Sequence, residues 1–172
     1  MIRANTGRFH SVFSIWRKVM LRKYKTDDEV YELLRSFEGA TISREDWKHA
    51  EHLVVALCYL ETSDLDGATL KMKNGIFNLL RGFGVDLSTE MPYHETITVF
   101  WMRTAYAYTL MNKELSLAEK ANGLCELYGK DHPLKFYSRE LLFSDLARAE
   151  FVEPDLRPLQ IAKVEFAYSP AS

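Results

Sequence analysis

Val30, Leu33, Leu34 and Phe37 fall at intervals of three and four residues, the spacing that lines one face of an α-helix. The same period returns along most of the chain, and no region is rich enough in strand-like alternation to supply a sheet. Helix-breaking and helix-starting residues cut this pattern into segments. Gly39 stops the first, over about 27–37. Ser43-Arg-Glu-Asp46 has the spacing of a capping box, with Asp in the usual Glu or Gln place, and predicts a second helix over 43–62. A third, over 65–80, is carried by Leu70, Ile76, Phe77 and Leu80 and ended by Gly82 and Gly84. After a loop at 82–92, Pro92 fits the first turn of a fourth helix, where its missing N–H costs nothing. That helix, over 92–112, carries Ile97, Phe100, Trp101, Ala105, Tyr108 and Leu110. Ser116-Leu-Ala-Glu119 is a capping box with the usual residue types, opening a helix that ends at Gly129. Over 135–151 the pattern is helical but interrupted, with Ser138 and Ser144 each suited to cap a short helix. Pro154, Pro158 and Pro170 make the remainder extended, and 161–168 (IAKVEFAY) alternates in part, as an edge strand or an arm would.

The expected fold is therefore all-α: one bundle of five to seven helices with an extended C-terminal tail. Residues 1–25 form a basic amphipathic segment, 26–160 the bundle and 161–172 the tail. At 172 residues and 47% hydrophobic composition, the chain has enough material for one full core and no linker or repeat that would divide it. It has no apolar run of the roughly 18 residues that a membrane span needs. The two cysteines, Cys58 and Cys125, lack metal-type spacing and lie in helical patterns, where buried free thiols are the ordinary reading. With no signal peptide in view, a reducing cytoplasm is the expected compartment.

The net charge of −2 conceals an asymmetry. Residues 1–25 contain Arg3, Arg8, Arg17, Lys18, Arg22, Lys23 and Lys25 and no acid, whereas the other 15 basic residues face 24 acids, a net of −9. Phe9, Val12, Phe13, Trp16, Val19 and Met20 share one helical face within this basic segment. A helix over 8–20 would pack on its own acidic domain or meet a homodimer mate or partner; an acid-free start of this kind also suits a targeting segment or an anionic membrane surface. Nucleic acid is not expected as a partner, since the acidic remainder would repel phosphate.

Histidine is scarce, yet two of five lie in 47-WKHAEHL-53. His49 and His52, three residues apart on a helix, project to one side. In 93-YHET-96, His94 and Glu95 begin the next long predicted helix but one. Three imidazoles and a carboxylate suit zinc, or non-haem iron or manganese with an open position, with His49, His52 and His94 as ligands and Glu95 as ligand or general base. Against this stand plainer roles: a core histidine at 52, an exposed one at 49, and a Glu95 favoured by the helix dipole. A haem held by one histidine is a further option, although aromatic residues at helical spacing are more often core than a cofactor box. The Tyr93 and Tyr137 hydroxyls are candidates for a small-molecule pocket. Arg148 could clamp a carboxylate or phosphate, or instead pair internally with Glu153 or Asp155.

Taken together, W-x-H-x-x-H-L (47–53), Y-H-E-T-x-T (93–98) and Y-S-x-x-x-L-F-S-x-x-A-R followed by V-E-P-D-L (137–156) resemble an uncharacterised bacterial family of small all-helical proteins. The resemblance covers about 30–160. It implies a single helical domain in which the three motifs form one site, and carries no activity with it. Two functions are open from the sequence. One is a metal-dependent enzyme acting on a small molecule; the other is a non-catalytic module that binds a small ligand or a partner, with Arg148 supplying the charge.

Overall fold

A computed structural model describes residues 23–159, and the helix expected over 8–20 and the arm over 161–168 lie outside them. Seven α-helices and one 3-10 turn make up the described chain, with no strand among the described residues. They are α1 (Asp27–Glu38), α2 (His49–Thr62), α3 (Leu65–Gly82), α4 (Glu95–Met111), α5 (Leu117–Leu127), the 3-10 turn His132–Lys135, α6 (Arg139–Leu142) and α7 (Asp145–Ala149).

The architecture follows from how apolar each helix is around its circumference. In α2, Leu53, Val54, Val55, Ala56, Leu57, Cys58 and Tyr59 are buried in succession. A helix without a polar face has to sit inside, and α2 does: α1, α3, α4 and α5 pack around it. Each fully buried aliphatic side chain there contributes about 1.5–3 kcal/mol of hydrophobic stabilisation. The outer helices bury one face only; α1 buries Val30 and Phe37, and α3 buries Ala68, Met72, Ile76 and Leu79. Phe37 stacks on Trp47 at 4.7 Å and lies edge-on to Tyr59 at 6.4 Å, joining α1, the α1–α2 connection and α2.

Helix starts are set by side-chain oxygens. Thr26, Asp64 and Ser116 cap α1, α3 and α5, and Glu119 returns a bond to the Ser116 N–H at 3.1 Å, completing the expected box. Ser138 and Ser144 cap α6 and α7. Two starts differ from expectation. Asp46 bonds the Ser43 hydroxyl at 2.6 Å rather than the Ser43 N–H, so 43–46 close a turn instead of a helix. The chain then runs on to Lys48, whose N–H is held by Glu51 at 3.1 Å, and α2 begins at His49. Pro92 and Tyr93 stay outside α4, because His94 caps it: its Nδ1 accepts from the Ile97 N–H at 3.3 Å.

The segment after α7 is extended, as the prolines require, and is strapped to the bundle. The Thr96 hydroxyl donates to the Glu150 carbonyl at 2.8 Å and accepts from the Val152 N–H at 3.1 Å. The Tyr137 hydroxyl donates to the Val152 carbonyl at 3.0 Å, and the Leu156 N–H donates to the Phe136 carbonyl at 2.9 Å. At the other end, Asn122 of α5 holds both the N–H and the carbonyl of Tyr24, and Lys23 pairs with the buried Glu51. Burial opposes ionisation of Glu51. Lys23 and the backbone N–H groups outweigh it, leaving the carboxyl below the ordinary range.

Candidate ligand-binding site

His49, His52 and His94 each use a ring nitrogen on a backbone carbonyl. Because a carbonyl only accepts, these contacts fix the tautomers. His49 donates from Nε2 to Tyr128 at 2.9 Å, on the α5 side of α2, and its ring lies 4.6 Å from Trp101. His52 donates from Nδ1 to Lys48 at 2.8 Å and stacks against Trp47 at 4.1 Å. His94 donates from Nε2 to Leu142 at 2.9 Å and accepts at Nδ1 from Ile97. Both nitrogens of this buried neutral ring are engaged, and no lone pair is left for an ion. Burial, reinforced by the nearby Arg148 cation and opposed by the Leu142 bond, holds its pKa below the ordinary imidazole value. Glu95 turns to α3 and forms an ion pair with Lys73 at 2.6 Å. The expected ligand set is not brought together, and among the described residues no group of three or more His, Cys, Asp or Glu side chains is placed to hold a metal ion. As placed, His94 has no ring nitrogen free for zinc or non-haem iron, whereas His49 and His52 each keep one.

What the structure does bring together is a different subset. His52, Tyr93, His94 and Arg148 line one cavity of about 360 Å³ between α2, α3, the start of α4 and the α6–α7 segment. Its walls are otherwise mostly apolar: Ala56 from α2, Met72 and Ile76 from α3, Ile97, Trp101 and Met102 from α4, and Phe143 between α6 and α7. This is the composition of a small-molecule pocket, an apolar enclosure with a few polar groups. No acid lines it.

Three of its polar groups have unused bonding capacity. Arg148 sits half-buried at the end of α7. The internal ion pairs considered for it do not form. Glu153 lies 3.6 Å from Arg103, and Asp155 accepts from the Ser138 N–H at 2.8 Å, which holds its carboxyl below the ordinary range. Among the described residues Arg148 therefore has no carboxylate partner. The Tyr93 side chain is buried and its hydroxyl lacks a hydrogen bond, the one such buried side-chain atom among the described residues. Thr98 and Glu95 come near enough to influence its ionisation without closing a bond; burial, more than either, raises its pKa. In neutral His52, Nε2 is left as an acceptor, and burial keeps the ring neutral by lowering its pKa.

Tyr137, also expected to bind substrate, is instead a core residue with no exposed surface, its hydroxyl held by Val152. Trp101, Thr98 and Phe143 also line the cavity; the last two belong to the quoted motifs, but none of the three was expected as a binding residue. Trp101 lies one turn beyond Thr98 on the face that begins at His94, and that register is the signal that could have found both. For Phe143 helical register carries no such signal, because its place depends on how the α6–α7 segment folds back; its one sequence signal is the L-F-S of the third motif. Comparison with known protein families, with curated proteins and with solved structures finds no match.

Proposed function

We propose that this chain is a small-molecule-binding helical module whose ligand has a compact apolar body and one anionic group, a carboxylate in the simplest case. The observation that carries the reading is Arg148: a half-buried guanidinium that, among the described residues, has no carboxylate partner and lines an apolar cavity with no acid in its wall. A guanidinium binds carboxylate through two parallel bonds, and partial enclosure strengthens them. His52 and Tyr93 supply an acceptor and a donor for a second polar atom on the ligand. Neither is placed as part of a nucleophile–base pair, so the reading is binding rather than catalysis.

The test is calorimetric titration of the full chain with hexanoate and with hexanamide, repeated on Arg148→Gln. Hexanoate should bind the wild type about tenfold or more tightly than the amide, since a bond to a charged group is worth roughly 1.5–3 kcal/mol. Arg148→Gln should erase that preference while leaving the melting temperature close to that of wild type. Equal binding of the two probes, or a preference that survives in the variant, refutes the reading.

A further inference from the structure

A second cavity, of about 430 Å³, lies between the middle of α4, the Tyr128–Phe136 connection and residues 157–159. It shares no lining residue with the first. One wall is aromatic: Tyr128, His132 and Phe136, with His132 lying 4.8 Å from Tyr128 and 5.3 Å from Phe136. Arg103 from α4 and the exposed Arg157 are its charged lining residues.

The Arg103 side chain is three-quarters enclosed, at 26% exposure, yet none of its N–H groups makes a hydrogen bond among the described residues. Its nearest acid is Glu153, at 3.6 Å and with a side chain 72% exposed. That separation is beyond hydrogen-bonding range, and a pair with so exposed a partner is weak. The guanidinium carbon instead lies 4.2 Å from the centroid of the Phe151 ring, which fixes its plane without using its donors. Arg157 has no acid partner among the described residues. The His132 ring makes no hydrogen bond there either, and burial, with Lys135 beside it, lowers its pKa. Two under-used cations beside rings arranged edge to face suit a flat ring bearing an anion: that ring adds to the cluster of Tyr128, His132 and Phe136 by the same edge or face contacts, and the anion meets the Arg103 fork.

We infer that this cavity is a second binding site, selective for planar aromatic carboxylates, with Arg103 as the anion-binding residue. It is lined by other described residues than the Arg148 cavity, and it stands whether or not that cavity binds anything. The experiment follows the ring signals of His132 and the side-chain Nε–H of Arg103 by NMR in the full chain. The probes are 2-naphthoate, its neutral amide, and decalin-2-carboxylate, which has no aromatic plane. Naphthoate should shift both signals saturably, and each of the other two probes should bind roughly tenfold or more weakly. Arg103→Gln should abolish the distinction between naphthoate and its amide, with Arg103→Lys retaining part of it; Arg148→Gln should leave it intact. Absence of saturable shifts with naphthoate, shifts confined to the Arg148 cavity, or equal binding of the amide would each overturn the inference. Should Arg103→Gln melt far below wild type, the comparison of the three probes on the wild type decides alone.

Discussion

Replacing His94 by alanine should destabilise the fold without reference to any ligand, and the amount can be worked from its two bonds. The Nε2–H group satisfies the Leu142 carbonyl at the end of α6, a contact made inside the protein. Leaving such a carbonyl unpaired costs about 1–3 kcal/mol. Nδ1 caps α4 through the Ile97 N–H, and loss of a cap costs about 1 kcal/mol. The expected loss is therefore roughly 2–4 kcal/mol. At about 3 °C for each kcal/mol in a domain of this size, this is a fall of roughly 6–12 °C in Tm. His94→Asn, whose amide can still cap α4 but cannot reach Leu142 as the ring does, should fall between alanine and wild type. The pH dependence has a definite sign. His94, His52 and His132 are all held below the ordinary imidazole value of about 6.5, so the unfolded chain binds protons first. Their contribution to stability is complete above that value, begins to decline as the pH falls through it, and is lost as the pH passes the depressed folded-state pKa values. In His94→Asn the slope between pH 6.5 and 5 should be shallower than in wild type, without vanishing, because two depressed histidines remain. Urea melts of the three proteins across this range, with and without chelator, measure all of it. An alanine variant within about 1 kcal/mol of wild type, or an unchanged slope in the asparagine variant, would refute the assignment of His94 as a neutral bridge.

Two further outcomes test the packing. A methyl group built on Gly75 would collide with the ring of Phe37, which is fully buried and stacked on Trp47, so Gly75→Ala should cost about 1–3 kcal/mol in a denaturant melt despite alanine's better helix propensity; a stabilised variant would show that α1 and α3 do not approach this closely. Burial, with Glu61 nearby, pushes the Cys58 thiol up to about 12, and burial pushes Cys125 up to about 11, so neither should react with a disulfide reagent at pH 8 until the chain unfolds, and reaction at the rate of a free thiol in the native state would contradict this placement.

The helices were legible because capping and apolar period act locally. Ser116 with Glu119, Ser138, Ser144 and the glycine after α1 all stand where the spacing puts them. The two misplaced starts have different causes. At α2, Asp46 is one methylene too short to close the box that a glutamate at that position would close, and Glu51, five residues later, instead accepts from the Lys48 N–H. At α4 the cap is an imidazole, outside the usual set of Ser, Thr, Asp and Asn, so a rule built on those residues could not find it.

The site was legible in part, and the part that failed is informative about helix faces. Histidines three apart on a helix differ in direction by about 60° at 100° per residue. On a surface helix that still counts as one side. On α2, with four helices packed around it, each neighbour takes up a sector of roughly 90°, and 60° is enough to aim successive histidines at different neighbours. His49 accordingly meets Tyr128 and Trp101, while His52 meets Trp47 and the cavity. The unbroken apolar run from Leu53 to Tyr59 marks α2 as the central helix, where a three-residue spacing no longer means one side. Arg148 followed the opposite course. Its acidic neighbours in sequence favoured an internal pair, but Asp155 is taken by a backbone N–H and Glu153 lies on the side of Arg103, so the extended strap after α7 carries both acids away from it. What remains beside Arg148 is an apolar cavity with no acid among its described lining residues, and a cation in that position favours a ligand that brings its own negative charge.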